Sequence, residues 1–346
     1  MKTAIPVLII SGACALILTS TAALAQGTLT PPGPPAPTMK TLDQVEARII
    51  VNSNNTPGDS TTLFKITQPG SYYLTTNITG VSGMAGIAIE SSQVTLDLNG
   101  FSLTGVPGSL DGIRNTNGAI VALTIRNGII RDWDGNGISG SGYGAIFSDL
   151  LAFGNGGDGM DVFRATVRDC VAEDNGDAGI SATESGIINC SATGNSTGFI
   201  LAYSCHVEGC TAKFNSYGLD VDSGSIVMNN SVQASDLCGI VARSECRVIG
   251  NLVTDGQSDA PGILVGQDGT NNVIQGNTAI NNPGGGFVLT ETGVLDNILL
   301  GNTATGNSPN YQMGAGNSYG PIVNVNGVGD ISAVSNANFP GANFSY

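Results

Sequence analysis

The chain has 346 residues, of which 27 are Asp or Glu, 12 are Lys or Arg and one is His, giving a net charge of −15. This balance excludes a nucleic-acid-binding protein, because phosphate neutralisation needs clustered Lys and Arg. Long anionic glycans are also repelled by such a surface, unless a cation or a local Arg cluster binds them.

The N-terminal segment predicts export. Lys2 precedes a mostly apolar stretch over residues 5–18, and Ala23 and Ala25 form a small-x-small cleavage site. The stretch is too short for a membrane span, and no later segment is apolar enough to be one. We therefore expect residues 1–25 to be a signal peptide and the mature protein to be secreted, extracellular or periplasmic, either free or at the cell surface.

The next two segments lead into the main body of the chain. Residues 26–40 contain PPGPPAP and predict a stiff, extended linker. Thr41 and Gln44 fit a capping box that begins a short helix ending near Arg48. We interpret residues 41–85 as this helical N-terminal cap together with the first strands.

Residues 86–310 repeat one unit of about twenty residues. Each copy opens with a glycine that is followed by an apolar residue, at spacings of 19 to 26 residues. A fixed period in this range predicts a solenoid, in which no unit can bury its apolar face alone. The opening glycines are Gly86, Gly112, Gly137, Gly159, Gly179, Gly198, Gly218, Gly239, Gly262 and Gly286.

Within each copy, segments of three to five residues alternate apolar and polar side chains, which is strand periodicity. Three short strands per coil, repeated in register, predict a single-stranded right-handed parallel β-helix of about ten coils. Its length would be roughly 45–50 Å, and residues 311–346 would cap its last coil. Asparagine is expected at the turns because it tolerates left-handed backbone and can bond to its copies above and below. Glycine suits the other turn because it tolerates positive φ.

An even number of cysteines in an exported protein usually indicates disulfides, but the geometry of the repeat argues against them here. Of seven cysteines, Cys14 lies in the signal segment and six remain. Cys205 and Cys246 share a repeat position two coils apart, roughly 10 Å, which is beyond bridging distance. Cys238 has no assigned role. Three further cysteines lie one repeat apart and should stack as small hydrophobic groups: Cys170, Cys190 and Cys210.

Four segments resemble exported bacterial right-handed β-helix proteins of the pectate-lyase-like superfamily. They are TQPGSYYLTTNITG (67–80), VTLDLNGFSLTG (94–105), LTIRNGIIRDW (123–133) and NYQMGAGNSYGPIV (310–323). The wider superfamily resembles pectate lyases, polygalacturonases, alginate epimerases, phage tailspikes and adhesins, so the resemblance implies a fold rather than one reaction. The Gly-His-Gly and Arg-x-Lys motifs of polygalacturonases are missing here, which argues against that mechanism.

The strongest candidate site is the sequence Gly-Leu-Asp220-Val-Asp222. Both carboxylates should point outward from one strand, roughly 6.5–7 Å apart, a separation used by inverting glycosidases. The pair could also hold Ca²⁺ together with water or glycan oxygens. Arg243 should flank Asp222 on the adjacent coil. Carboxylates with an Arg resemble in kind the calcium-and-arginine arrangement of pectate lyases, although no motif of that family matches here. The alternative is a solvated ion pair that contributes little.

Other candidates are weaker. Trp133 could stack on a sugar ring or could fill the wide first coils, and the sequence leaves both open. His206 is the single histidine, and no Ser-His-Asp set or zinc spacing is present. Ordinary turn chemistry explains most of a group of acidic turn residues: Asp132, Asp134, Asp158, Asp161, Asp174 and Asp177.

Two functions follow from these observations. The first is an exported protein that binds polysaccharide or a cell-surface glycan, or processes it as a lyase or hydrolase, with Asp220, Asp222 and Arg243 as its candidate catalytic residues. The second is a non-catalytic adhesive rod at the cell surface, whose stacked columns provide only stability. Ca²⁺ is the one cofactor that the carboxylates suggest.

Overall fold

The computed structural model describes residues 47–115 and 120–346. The predicted signal peptide, the linker and most of the predicted N-terminal helix lie outside these residues. Ala47 and Arg48 are not helical, and the first described strand begins at Ile49. In the described part of the chain, no helix is long and apolar enough to cross a membrane.

The described chain is a right-handed parallel β-helix of about 13 turns, which confirms the predicted fold class. Each coil supplies strands to three sheets, and each strand pairs in parallel with its equivalent in the next coil. The predicted number of coils, about ten, is too low. The segments 41–85 and 311–346, interpreted as the N-terminal cap with the first strands and as the C-terminal cap, both contribute strands to the solenoid. Phe64 pairs with Ile87, and Tyr311 pairs with Phe287.

The first sheet follows the opening glycines and the second sheet follows the first turn of each coil. The strands of the first sheet alone are Thr62–Ile66, Ala85–Ile89, Ile113–Asn115, Ala178–Thr183, Thr197–Ala202, Tyr217–Val221, Cys238–Ala242, Ile263–Val265, Phe287–Leu289 and Tyr311–Met313. Those of the second sheet alone are Ile49–Ile50, Gly70–Tyr73, Val94–Asp97, Gly186–Ile188, His206–Glu208, Ile226–Met228, Arg247–Ile249, Val273–Gln275, Ile298–Leu300 and Ser318–Tyr319.

The third sheet completes each coil. Its own strands are Ile78–Thr79, Ser102–Thr104, Val171–Glu173, Ser191–Thr193, Thr211–Lys213, Ser231–Gln233, Leu252–Thr254, Thr278–Ile280, Thr303–Thr305, Ile322–Asn324 and Asn343–Ser345. Three longer strands bend across two or three sheets: Leu123–Arg131, Ile138–Phe153 and Met160–Arg168. A 3₁₀ turn, Ile331–Ala333, lies near the C-terminal end of the described residues.

The core is built from columns of identical repeat positions. In the second sheet the inward column is fully buried, and in the third sheet a column of alanine and valine faces it. Since each such side chain contributes about 1.5–3 kcal/mol when buried, or less for alanine, the columns supply the main driving force for stacking. The second-sheet column is Phe147, Val167, Ile187, Val207, Val227, Val248, Ile274 and Leu299, as the sequence alignment predicts.

The sequence analysis gave one asparagine at each turn two roles, the left-handed backbone and the hydrogen bonds between coils. In the structure two neighbouring residues share these roles. The first residue takes the left-handed conformation, as Asn229 (φ 57°) and Asn281 (φ 54°) do. The next residue, Asn230 or Asn282, turns its side chain inward and is buried. The left-handed position exposes its side chain, so Asp and Gly also fit there.

The inward asparagines form continuous hydrogen-bonded ladders, which confirms the predicted bonding between copies. Asn251 Nδ2 donates to Asn277 Oδ1 at 3.0 Å, and Asn277 Nδ2 donates to Asn302 Oδ1 at 3.0 Å. Asn302 Nδ2 then donates to Asn343 Oδ1 at 3.1 Å. Each side-chain amide in this column is hydrogen-bonded to the next one, as buried polar groups require.

The opening glycines have a steric role that does not involve left-handed backbone. A Cβ atom on Gly179 would lie 2.8 Å from the carbonyl oxygen of Gly198, and one on Gly198 would lie 2.5 Å from that of Gly218. None of the ten opening glycines has φ in the left-handed region. The glycine is needed because successive coils approach each other closely at this point.

All six described cysteines are buried and free, which confirms the buried thiols predicted at Cys170, Cys190 and Cys210. One column of the interior contains these three cysteines and continues with asparagines from Asn230 onward. The Cys190 backbone N–H donates to Cys210 Sγ at 3.3 Å. Cys238, unassigned from the sequence, begins a strand of the first sheet and pairs with Tyr217.

The C-terminal segment closes the core of the last coil. The Tyr311 ring stacks on Phe287 at a centroid distance of 5.2 Å. Its hydroxyl lies 2.9 Å from the Asn302 carbonyl oxygen and 2.8 Å from that of Phe344. The strand Asn343–Ser345 is inserted between Thr303–Thr305 and Ile322–Asn324, so the last strand in sequence is not the last in space.

Candidate functional site

The outward side chains of the first sheet form one column parallel to the solenoid axis, and Asp220 is the only predicted site residue in it. Burial alternates along the strands of this sheet, so every second side chain points outward. The outward positions that stack in register are Ser139, Asp161, Ser181, Ile200, Asp220, Val241 and Leu264.

Asp220 is the most unusual side chain of this column. Its Oδ2 accepts a hydrogen bond from Arg243 Nη2 at 3.0 Å, whereas its Oδ1 is buried and has no hydrogen-bond partner. The neighbouring strands place Ile200 and Val241 on either side of it. Burial raises the pKa of Asp220, the Arg243 guanidinium opposes this rise, and the nearby Asp222 carboxylate adds to it.

Arg243 flanks Asp222 on the adjacent coil, as predicted, but its side chain forms its ion pair with Asp220. Val221 pairs with Ala242 on the adjacent coil. Asp222 and Arg243 directly follow these two residues, so their backbones lie at equivalent positions, as predicted. The long Arg243 side chain nevertheless reaches diagonally to Asp220. Asp222 Oδ1 instead accepts hydrogen bonds from the backbone N–H of Ser223 at 2.7 Å and from its hydroxyl at 3.2 Å.

The metal prediction concerns the same two carboxylates. Across residues 47–115 and 120–346, no group of three or more His, Cys, Asp or Glu side chains is arranged to hold a metal ion. Asp220 and Asp222 supply a minor part of the six to eight oxygens that Ca²⁺ takes. Ca²⁺ binding through this pair therefore stays a prediction that needs water or glycan oxygens.

Trp133 does not form a sugar-stacking surface, so its assignment as a ligand-binding residue is corrected. Its side chain is 1% exposed, and its Nε1 donates to the Leu103 carbonyl oxygen at 3.3 Å. A Cβ atom on Gly80, Gly86 or Gly112 would lie about 3 Å from the indole ring. The three glycines therefore make room for Trp133, which fills the interior of the wide first coils.

A small polar depression lies on the same outer face, and sequence reasoning missed it. It has a volume of about 160 Å³, far below the roughly 300–1,000 Å³ of an enclosed ligand pocket, so it is an open surface feature. A carboxylate, two hydroxyls, an amide and an aromatic ring line it. The lining residues are Asn115, Ser139, Gly140, Ser141, Asp161 and Phe163.

The carboxylates beside this depression affect one another. Asp158 Oδ1 accepts from the Ala178 backbone N–H at 2.8 Å, which is the turn role that the sequence predicted. Burial, with the nearby Asp161 and Asp177 charges, raises the pKa of Asp158 to about 6. Burial and the Asp111 carboxylate raise the pKa of Asp161 as well.

Arg164 lies against two aromatic rings, one of which belongs to Phe163 in the lining of the depression. Its guanidinium carbon lies 4.5 Å from the centroid of Phe163 and 4.7 Å from that of Tyr143. Arg164 Nε donates to Glu184 Oε2 at 2.6 Å, which fixes the guanidinium. Tyr203 follows one coil beyond Glu184, whose backbone N–H donates to the Tyr203 carbonyl oxygen at 3.0 Å. The Tyr203 side chain is 59% exposed.

The comparisons with known proteins agree with this architecture. The family model described as "Right handed beta helix region" matches residues 111–253. Together with the strand pairing, this match assigns the right-handed β-helix fold to the chain. The comparison with curated proteins gave no match.

Two solved structures resemble this β-helix protein. A mutant tailspike protein of E. coli bacteriophage HK620, in complex with a pentasaccharide, shares 15% identity over 74% of this chain and 60% of its own, with a TM-score of 0.55. A double mutant of the periplasmic alginate epimerase AlgG shares 13% identity over 86% of this chain and 82% of its own, with a TM-score of 0.51. At these identities the likeness is one of fold alone.

Proposed function

We propose that this β-helix protein binds polysaccharide along the outer face of the first sheet and uses Asp220 as an acid–base residue on it. The carrying observation is the Asp220 carboxylate, which has one oxygen held by Arg243 and the other buried without a partner. A carboxyl group with a raised pKa in such surroundings is suited to act as a general acid or base.

The geometry favours a long ligand. Asp161 and Asp220 lie three strands apart in one column, which corresponds to roughly 14 Å. An extended glycan lying parallel to the solenoid axis can contact both the depression around Asp161 and the Asp220 carboxylate. Phe163 offers an apolar ring surface in the depression, and Ser139 and Ser141 offer hydroxyl groups.

The fold is compatible with this role. Of the two similar structures, one is a tailspike in complex with a pentasaccharide and the other is an alginate epimerase. Secretion belongs to the same proposal, because a polysaccharide ligand lies outside the cytoplasm. N-terminal sequencing of the exported protein should then begin at Gln26.

The proposal is tested with a panel of acidic and neutral polysaccharides, with and without Ca²⁺. Retention on the polysaccharide and the appearance of new reducing or unsaturated ends are measured separately, and epimerisation is followed by NMR. We expect Asp220→Asn to keep retention while turnover falls at least about 100-fold, which is the typical contribution of a general acid or base. Asp161→Asn should weaken retention.

Glu208→Gln is the matched control, because Glu208 is an outward carboxylate on the second sheet. It should change neither readout. Full turnover by Asp220→Asn would remove Asp220 from the chemistry. Retention without any product would leave a binding protein, and the absence of both would favour the adhesive rod. Dependence of retention on Ca²⁺, abolished by Asp222→Asn, would support the predicted metal.

A further inference from the structure

The strands of the last coil each have a partner on one side only. Among the described residues, Tyr311–Met313 pairs with Phe287–Leu289, Ser318–Tyr319 pairs with Ile298–Leu300, and Ile322–Asn324 pairs with Asn343–Ser345. Their outer edges therefore present backbone N–H and C=O groups to any further strand.

The tail between Ile322–Asn324 and Asn343–Ser345 does not close this edge. Its backbone hydrogen bonds mainly join residues three positions apart. The N–H groups of Val328, Val334 and Ala342 donate to the carbonyl oxygens of Val325, Ile331 and Phe339, respectively. The same end exposes large apolar side chains, which often mark an interaction surface where they cluster. They are Tyr319, Ile322, Val328, Ile331, Phe339 and Tyr346, which are 38–50% exposed.

The charge distribution separates this end from the rest of the chain. Residues 297–346 contain one charged side chain, Asp330, so the preceding residues carry a net charge of −14 out of −15. Two copies of so acidic a body repel each other. The nearly uncharged C-terminal end is the part that a second copy can approach at the least electrostatic cost.

We propose that the C-terminal end of the β-helix is a self-association surface that binds the C-terminal end of a second copy. The pairing is isologous, around a two-fold axis, so that both copies bury the same surface. Because the contact occupies the C-terminal end of each copy, assembly stops at a dimer and does not continue into a filament. The apolar side chains of the tail are then buried between the two copies.

The test is sedimentation of the full chain over a wide range of concentrations, at low and at high salt. We expect a monomer–dimer equilibrium that high salt strengthens, because screening weakens the repulsion between the acidic bodies. Ile322→Lys should weaken the dimer at least tenfold. Leu252→Lys is the matched control, because Leu252 is also 40% exposed but lies in the middle of the third sheet, and it should leave the dimer unchanged.

Far-UV circular dichroism and melting curves establish that each variant is folded. If Ile322→Lys is unfolded, Tyr319→Lys probes the same edge, since Tyr319 is 49% exposed. A protein that is monomeric at all concentrations would overturn the proposal. So would growth beyond a dimer, or a dimer that neither lysine variant weakens.

Discussion

The buried asparagine ladder gives the sharpest stability prediction, for which Asn277→Ala is the perturbation. Asn277 Oδ1 accepts from the backbone N–H of Asn251 at 2.9 Å and from its Nδ2 at 3.0 Å. Asn277 Nδ2 donates to the Val248 carbonyl oxygen at 2.8 Å. Alanine leaves these three groups buried without this partner. At about 1–3 kcal/mol for each group, we expect a loss of about 4 kcal/mol.

The assay is urea and thermal unfolding followed by far-UV circular dichroism. At an unfolding entropy of about 2.1 cal/mol/K per residue, a loss of this size should lower the melting temperature by roughly 6 °C for a domain of about 300 residues. The control is Cys190→Ala in the same column, which deletes one small buried group with weaker hydrogen bonds and should cost about 1 kcal/mol. If Asn277→Ala costs no more than Cys190→Ala, the ladder is not the stabilising element that the geometry implies.

Three further predictions concern the interior and the turns. Trp133→Ala should cost about 3–5 kcal/mol of stability, seen by urea unfolding, and leave glycan retention unchanged, because the indole is buried. Asp158→Asn should melt higher than the parent protein at pH 7.5 and equally at pH 3. The reason is that the pKa of Asp158 is higher in the folded than in the unfolded protein. Its contribution to stability is therefore fully present below the unfolded pKa and is lost as the pH rises through about 6. Asp255→Asn is the control of opposite sign, because hydrogen bonds from Asn281 and Gln233 lower the pKa of Asp255, and it should lose stability at pH 7.5. Finally, a thiol reagent should label the six described cysteines only after unfolding, because each is at most 2% exposed, and labelling of the native protein would contradict their burial.

The repeat allowed the interior to be predicted residue by residue. Once the period is known, every inward position follows, and the column through Cys190, Asn230 and Asn277 could be written down from the sequence. This works because parallel strands pair in register and identical positions stack directly. The number of coils was underestimated because the first and last strands of the first sheet lack the glycine-apolar opening that marks the other copies.

The outer face could not be predicted to the same depth. Register fixes where the Arg243 backbone lies, but it does not fix the direction of a long, exposed side chain, and Arg243 contacts Asp220 rather than Asp222. The depression around Asp161 needs side chains from three strands, including Asn115 from an early, irregular coil. An irregularity between Ser141 and Ala145 also shifts the register there. No period in the sequence encodes these features.

The residues that break a column therefore point to function, and Asp220 allows this idea to be tested. Its neighbours in the column are Ile200 and Val241, so an apolar side chain fits the position better than a half-buried carboxylate does. Asp220→Val should raise the melting temperature at pH 7.5, because the pKa of Asp220 is raised and its ionisation costs stability above the unfolded value. Arg243 is 45% exposed, so the loss of its partner should cost little. A gain in stability together with a loss of turnover would show that the carboxylate is kept for its chemistry. A lower melting temperature would instead make the Asp220–Arg243 pair a structural one.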